Sequence, residues 1–183
     1  SASEKLKLIN CDVKIDLYYE RLTAINAIHI IKGYDFIIDG TDNFASKFLV
    51  ADACHFANKP YSHAGILRFE GQTMTVIPRQ TVCYRCVFNS PPPPGAIPSC
   101  AQAGVLGAVA GVIGTIQATE AIKYVLGQKK LLVNEMLTYD ALQMNFRKIP
   151  LRKNPRCPLC GDYPTITKIS DEEVIVCQYN KPS

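Results

Sequence analysis

The chain has 183 residues, 48% of them hydrophobic, and a formal net charge of +4. This length and composition allow one globular domain with a buried core and exclude an intrinsically disordered chain. Lysine and arginine are dispersed among acidic residues, so no basic stripe indicates a nucleic-acid partner. The longest apolar stretch, residues 103–116, is too short to span a membrane, and no signal peptide is visible. We therefore expect a cytoplasmic protein with neither nucleic acid nor a membrane as its partner.

The first third of the chain alternates between strand and helix patterns. The segment Glu4–Ile9 has the pattern of the end of a helix whose beginning is absent. The predicted elements that follow are a strand at 13–17, a helix at 23–32, a buried strand at 34–39 and an amphipathic helix at 44–57. This order predicts a Rossmann-like parallel sheet.

After Pro60 the periodicity changes to two, which is typical of antiparallel strands. We predict a hairpin from strands at 66–69 and 74–77 with its turn at Glu70–Gly71, and two later strands at 135–139 and 145–149. Between them lies a long helix, about 105–126. Four small residues near its start predict close approach by a neighbouring element, as in a central helix or a dimer contact: Gly104, Gly107, Gly111 and Gly114. The predicted fold class is α/β, with the parallel sheet continuing into antiparallel strands.

Two Cys-x-x-Cys pairs, Cys83/Cys86 and Cys157/Cys160, predict a four-cysteine zinc knuckle. Proline and glycine near these pairs favour the tight turns that aim both sulfurs of a pair inward. The alternative is a pair of redox dithiols or disulfides, which a reducing cytosol disfavours. Because four thiolates leave no open coordination position, we expect this zinc to be structural.

The turn Gly40–Asn43 follows the predicted strand that ends at Asp39. Ligands of open parallel sheets bind beyond the carboxyl ends of strands, so Asp39, Asp42 and Asn43 are placed for a magnesium nucleotide. Thr41, Asp42 and Asn43 are also good helix caps, and capping alone explains many such turns. Lys47, one helical turn later, is either a phosphate ligand or a solvated lysine.

Cys100 follows a proline-rich crossing and precedes a helix, whose start could lower the pKa of its thiol. It is therefore either a nucleophile or a half-buried cysteine without a role. The remaining cysteines are interpreted as packing residues, and the three histidines receive no chemical role: Cys11, Cys54, Cys177, His29, His55 and His63.

Six segments, in this order along the chain, carry a resemblance to a known family: 39–43 (DGTDN), 70–72 (EGQ), 83–86 (CYRC), 100–107 (CAQAGVLG), 114–123 (GTIQATEAIK) and 154–161 (NPRCPLCG). The chain resembles the ThiF/MoeB/HesA family of the ubiquitin-activating-enzyme superfamily from about Leu8 to about Thr167. The resemblance implies an ATP-dependent adenylyltransferase acting on a ubiquitin-like sulfur-carrier protein, ThiS- or MoaD-like, of thiamine or molybdopterin biosynthesis.

The resemblance also implies roles for single residues. Asp42 would hold the Mg²⁺ of ATP, and Asp39, Thr41, Asn43 and Lys47 would belong to the same pocket. The four knuckle cysteines would bind Zn²⁺. Cys100 matches a cysteine that forms a covalent adduct with the carrier in some members only. A homodimer is expected.

Two departures from the family pattern stand out. Lys47 replaces a common arginine and loses the planar fork that grips phosphate at two points. No G-x-G-x-x-G motif is present, and the phosphate-binding amides of that loop are missing with it. We therefore expect one N-terminally truncated domain over residues 1–183, with a Rossmann-like portion (4–60), an antiparallel and zinc-binding portion (61–165) and a tail (166–183). Alone, it should bind ATP weakly and not adenylate.

Two other functions compete with adenylation. A non-catalytic, zinc-stapled module could use the hairpin and the Cys100 loop to bind a ubiquitin-like protein, and its binding would not depend on ATP. A zinc-containing dehydrogenase would need an open zinc site and a dinucleotide loop, and the sequence has neither pattern.

Overall fold

A computed structural model describes residues 2–93 and 103–171. The helices are α1 (Ala2–Ile9), α2 (Ala27–Lys32), α3 (Phe44–Ala57), α4 (Tyr84–Val87) and α5 (Gly107–Val125). The strands are β1 (Ile37–Ile38), β2 (Tyr61–Leu67), β3 (Glu70–Val76), β4 (Glu135–Asp140) and β5 (Asn145–Pro150). Among the residues described, no helix is both long and apolar enough to cross a membrane.

The strands form one sheet in the order β1-β2-β3-β4-β5. β1 runs parallel to β2, with Ile38 opposite Ser62, and α3 is the crossover between them. The other neighbours are antiparallel. The predicted change from a parallel to an antiparallel sheet is therefore confirmed, and with it the α/β class.

Helices α3 and α5 cover opposite faces of this sheet. Tyr61 and Met74 belong to the apolar core that contains α3, whereas Ala64 packs with Val109 and Ile113 of α5. Successive side chains of a strand point to opposite faces, so the odd positions of β2 meet α3 and the even positions meet α5. Residues 47–54 of α3 are all buried, because α2, α4 and β2 surround that helix.

The strand predicted at 13–17 is absent. Val13 and Leu17 are about half exposed, at 53% and 51%, and no described strand pairs with this segment. A lone strand leaves its backbone N–H and C=O groups unpaired, so alternation of apolar residues is insufficient without a neighbouring strand. The predicted strand, helix, strand crossover before Asp39 is wrong for this reason.

The hairpin turn lies at Arg68–Phe69, two residues before the predicted Glu70–Gly71. Arg68 has a positive φ of 53° and exchanges backbone hydrogen bonds with Gly104 and Leu106. Gly71 instead lies inside β3, where a Cβ atom would stand 2.5 Å from Ile113 Cγ1. Glycine is therefore needed at this position so that α5 can pack close to β3, and not because the chain turns there.

The glycines at the start of α5 and just before it have no close neighbour among the described residues. A Cβ atom added at Gly104, Gly107, Gly111 or Gly114 would meet no heavy atom within 4 Å. The described residues therefore do not supply the close approach expected at these positions, and contact with a second copy stays a prediction.

Candidate active site and metal centre

The four knuckle cysteines meet in one cluster. Their sulfur atoms all lie within 4.8 Å of one another, and four of the pairs are 3.2–3.7 Å apart. These separations are far longer than the S–S bond of about 2.05 Å, so the pairs are not disulfides. Four sulfurs at about 2.3 Å from one Zn²⁺ would be about 3.8 Å apart, close to this arrangement. The cluster can hold a tetrahedral metal ion.

Backbone turns aim these sulfurs. The amide of Cys86 donates to the carbonyl of Cys83, and the amide of Gly161 donates to the carbonyl of Cys157. At Gly161 a Cβ would lie 2.5–2.7 Å from backbone atoms of Pro155 and Cys157. A side chain therefore cannot fit there without moving the turn that carries Cys157.

The close packing of the four thiols also favours a cation in this cluster. Their mutual hydrogen bonds shift the pKa values in opposite directions, raising the pKa of Cys83 and lowering that of Cys86. Packing four thiols this closely makes four thiolates unstable unless a positive ion stands between them. The chemistry of the donor set thus fits a soft divalent metal.

The acidic turn begins helix α3. Asn43 is the N-cap, with φ −135° and ψ 150°, and its side chain accepts a hydrogen bond of 2.8 Å from Ser46 N. The capping interpretation of this residue is therefore correct. The amides of the first turn and the helix dipole make this end attractive to anions. Asp42 precedes the cap and is exposed.

Asp39 is buried, with 2% of its surface exposed. Oδ1 accepts from the amide and hydroxyl of Thr41 at 2.9 and 2.7 Å. Oδ2 faces His63 Nδ1 at 3.0 Å and Lys47 Nζ at 3.3 Å. Burial would raise the pKa of Asp39, but His63 and Lys47 outweigh it and lower the pKa to about 2. Asp39 is thus an ionised carboxylate whose donors come from the protein itself.

Lys47 is buried beside this carboxylate, with 9% exposure, so its interpretation as a solvated lysine is wrong. Besides Asp39, its ammonium donates to the carbonyl oxygens of Thr41 and Ala64, both at 2.6 Å. These acceptors match the three N–H bonds of an ammonium group. A phosphate contact would replace one of them, so the role of Lys47 as a phosphate ligand stays a prediction.

Two polar residues of this region were not selected from the sequence. His63 contacts Asp39 through its ring, and Gln117 Nε2 donates to the carbonyl oxygens of Asp39 and Ser62 at 3.1 and 2.9 Å. Gln117 had a usable signal, because it lies four residues after Ile113 on the apolar stripe of α5. His63 had none, since its contact depends on the parallel register of β1 and β2.

A buried ion pair connects the knuckle to α3. Arg85, between the two cysteines of the first pair, donates to both carboxylate oxygens of Asp52 at 2.7 Å. Its guanidinium also lies 4.6 Å from the centre of the Phe48 ring. The metal cluster is thereby joined to the helix that begins at the acidic turn.

A protein-family model, described as the ThiF family, matches residues 1–159 of the sequence. The chain belongs to the ThiF family. This confirms the family resemblance. The sulfur carrier protein adenylyltransferase of Thermus thermophilus is 44% identical in an alignment of 177 residues that covers 94% of this chain and 65% of that protein. The adenylyltransferase and sulfurtransferase MOCS3 of Anopheles gambiae is 40% identical over 174 residues, covering 94% of this chain and 40% of that protein.

This ThiF-family chain also matches solved structures. One is the crystal structure of E. coli MccB with selenomethionine MccA. The match has 18% sequence identity and a TM-score of 0.70, and it covers 87% of this chain and 49% of the MccB chain. At that identity the likeness shows a common fold. The chain spans 40% to 65% of the length of the two curated relatives named above.

The predicted site residues thus fall into three groups. The structure brings Asp39, Thr41, Asp42, Asn43 and Lys47 together at the end of β1, and it brings the four knuckle cysteines together in the cluster. Cys100 lies outside the described residues, as does Cys177, which the sequence analysis interprets as a packing residue.

Proposed function

We propose that the protein adenylates the carboxy-terminal Gly-Gly carboxylate of a ubiquitin-like sulfur carrier, using Mg²⁺ and ATP. The carboxylate attacks the α-phosphate of ATP, a new acyl–phosphate bond forms, and pyrophosphate leaves. Relatives named sulfur carrier protein adenylyltransferase and adenylyltransferase and sulfurtransferase support this reaction.

One observation supports the site more than any other. The exposed Asp42 stands beside the N-terminus of the 14-residue helix α3, beyond the end of the parallel strand β1. Magnesium bound to a nucleotide takes one or two protein carboxylates and otherwise phosphate oxygens and water. Asp42 supplies such a carboxylate, and the helix end supplies amides and a positive dipole for phosphate.

In this proposal the members of the turn have different tasks. Asp42 binds the metal and Asn43 starts the helix. Asp39, which is enclosed by donors, holds the turn from below together with Thr41 and Lys47. The phosphates need further amides, such as those of a glycine-rich loop, and we propose that the 183 residues alone bind ATP weakly and do not adenylate.

We propose that the four-cysteine cluster binds structural Zn²⁺. Zinc prefers four thiolates in a closed tetrahedral site, and such a site leaves no position for a substrate. Its contribution is then to stability, since the pairs are far apart in sequence and the ion closes the loop between them.

Cys100 and the homodimer remain part of the proposal. If Cys100 forms a covalent adduct with the activated carrier, Cys100→Ala should keep adenylation and lose the adduct. The open glycine face of α5 would accept a second copy. We place the protein in the cytoplasm, where thiols stay reduced and available to a metal.

The reaction is tested with the full-length protein that contains this chain, purified carrier proteins, ATP and Mg²⁺. Mass spectrometry should find a carrier heavier by one AMP, and pyrophosphate should be released in equal amount. Deletion of the final Gly-Gly of the carrier should abolish both products. If neither product forms with a thiamine-type or a molybdopterin-type carrier, the proposed function is wrong.

A non-catalytic binding module is the second candidate. The same mixture distinguishes it, because carrier binding that is equal with and without ATP, with no adenylate, would favour the module. Adenylation by the 183 residues alone would instead contradict the expected weak ATP binding of this chain.

A further inference from the structure

His63 is hydrogen-bonded to Oδ2 of Asp39, the buried carboxylate that follows β1. Its side chain is 2% exposed, and its ring lies on the α3 side of the sheet, 4.5 Å from the ring of Tyr84 and 6.3 Å from that of Phe88. The aromatic rings fix its position by packing. The parallel register, with Ile38 opposite Ser62, brings Asp39 level with His63.

The contact with Asp39 fixes the tautomer of the histidine. An ionised carboxylate only accepts hydrogen bonds, so the proton between Asp39 Oδ2 and His63 Nδ1, 3.0 Å apart, belongs to the ring. Burial lowers the pKa of His63, which keeps the ring neutral at neutral pH. A neutral ring with its proton on Nδ1 has a bare lone pair on Nε2.

That second nitrogen is buried and has no hydrogen-bond partner among the described residues. An apolar side chain of similar volume would pack among the same aromatic rings without leaving a buried acceptor unpaired. The histidine is therefore unfavourable at Nε2 and useful at Nδ1. Among the described residues, the one polar contact of the ring is its hydrogen bond to Asp39.

Asp39 connects His63 to the turn at Thr41–Asp42. Its other oxygen holds the backbone and hydroxyl of Thr41, the residue before Asp42, while Lys47 holds both Asp39 and the Thr41 carbonyl. Four donors on one carboxylate leave it no freedom to rotate. Without His63, Oδ2 would keep only the longer contact with Lys47 among the described donors, and the carboxylate that orients Thr41 would be held less firmly.

We propose that His63 is a positioning residue of the adenylation site, whose Nδ1–H locks Asp39 so that the Thr41–Asp42 turn presents the Asp42 carboxylate to the magnesium of ATP. This inference rests on the proposed function. His63 does not contact substrate in it, and acts only through Asp39.

The test compares three variants of the full-length protein in carrier-dependent exchange between pyrophosphate and ATP. His63→Leu keeps the volume and removes the donor, and should raise the KM for Mg·ATP roughly 10- to 100-fold, the usual effect of losing a residue that orients a metal ligand. His63→Asn returns an N–H near the place of Nδ1 and should recover most of the affinity. His29→Asn, at an exposed histidine of α2, is the matched control and should equal wild type.

A merely structural histidine would behave differently. Metal content and thermal midpoint are measured on each variant, and the KM effect of His63→Leu should persist in folded protein with full metal content. An unchanged KM in His63→Leu, or no recovery in His63→Asn, overturns the positioning role. Inactivity of the wild type with every carrier instead overturns the proposed function.

A second measurement does not depend on any variant folding. Histidine ¹⁵N spectra of the wild-type protein at neutral pH should show His63 protonated on Nδ1 and bare on Nε2. A neutral ring protonated on Nε2 could not donate to Asp39 and would overturn the inference.

Discussion

The four-cysteine knuckle and the acidic turn are both places where charge must be held inside the fold, and they are built differently. The knuckle takes four identical side chains from two short segments, 83–86 and 157–160. The turn takes different side chains from β1, α3 and β2, and Gln117 of α5 adds hydrogen bonds to its backbone. The first is a closed set of four sulfurs that can hold one ion. The second satisfies its own charges and leaves Asp42 at the surface.

This difference predicts how each region fails. If the cluster holds the proposed ion, loss of one sulfur should release that ion and open the loop it closes, because no fifth metal-ligating side chain joins the cluster among the described residues. Loss of one donor around Asp39 leaves three others. The knuckle should therefore fail as a whole, and the turn should weaken in steps.

The largest effect is expected at the knuckle. Cys157→Ser should abolish stoichiometric metal binding and unfold the protein at 37 °C, because structural zinc contributes on the order of 10 kcal/mol to folded domains. Metal analysis and circular dichroism measure both. Cys11 is exposed and lies outside the cluster, so its interpretation as a packing residue is wrong, and Cys11→Ser should keep the metal. Full metal content in Cys157→Ser would contradict the four-sulfur site.

The buried pair Arg85–Asp52 comes next. Asp52→Asn leaves the guanidinium of Arg85 buried beside a neutral amide, and should lower the free energy of unfolding by about 3–5 kcal/mol in urea titrations. The matched control is the more exposed pair Lys148–Glu135, whose side chains are 61% and 28% exposed. There Glu135→Gln should cost about 0–1 kcal/mol. Equal costs for the two pairs would refute the burial argument.

Gly71 is a closely packed glycine, whereas Gly111 is a glycine at the open surface. Gly71→Ala places a Cβ 2.5 Å from Ile113 Cγ1 and should destabilise by about 1–3 kcal/mol. Gly111→Ala adds a Cβ with no neighbour within 4 Å, and should stabilise α5 by about 0.5–1 kcal/mol. Thermal midpoints check both signs. A stabilised Gly71→Ala would mean that β3 and α5 lie further apart.

The smallest effect concerns acid stability. The folded pKa of Asp39, about 2, is below its ordinary value of 3.8, so the carboxylate contributes stability above pH 4. That contribution, about 2 kcal/mol, should be lost as the pH falls from about 4 to 2. Unfolding free energies measured across this range should fall in the wild type, and Asp39→Asn should remove this part of the slope. Identical slopes would contradict an ionised, buried Asp39.

The knuckle and α3 could be predicted from sequence because their signals are local. Two Cys-x-x-Cys pairs specify their own turns, and α3 spans Phe44–Ala57 as its apolar spacing predicts. The strand expected at 13–17 failed because a strand depends on a neighbour that no local pattern reveals. The turn expected at Gly71 failed because glycine also serves close packing.

The acidic turn was predictable only in part. Its position beyond a strand and its cap at Asn43 follow from sequence order. The partners of Asp39 do not, because His63 and Gln117 are 24 and 78 residues away along the chain. Their contacts arise from the strand register and from the face that α5 turns to the sheet.

Carrier-dependent exchange between pyrophosphate and ATP, compared in the wild type and Asp42→Asn, tests the central claim most directly. Exchange by the full-length wild-type protein should require both carrier and Mg²⁺, and Asp42→Asn should reduce it on the order of 100-fold while metal content and fold are kept. Exchange that is unchanged in Asp42→Asn would contradict the assignment of the acidic turn as the magnesium nucleotide site.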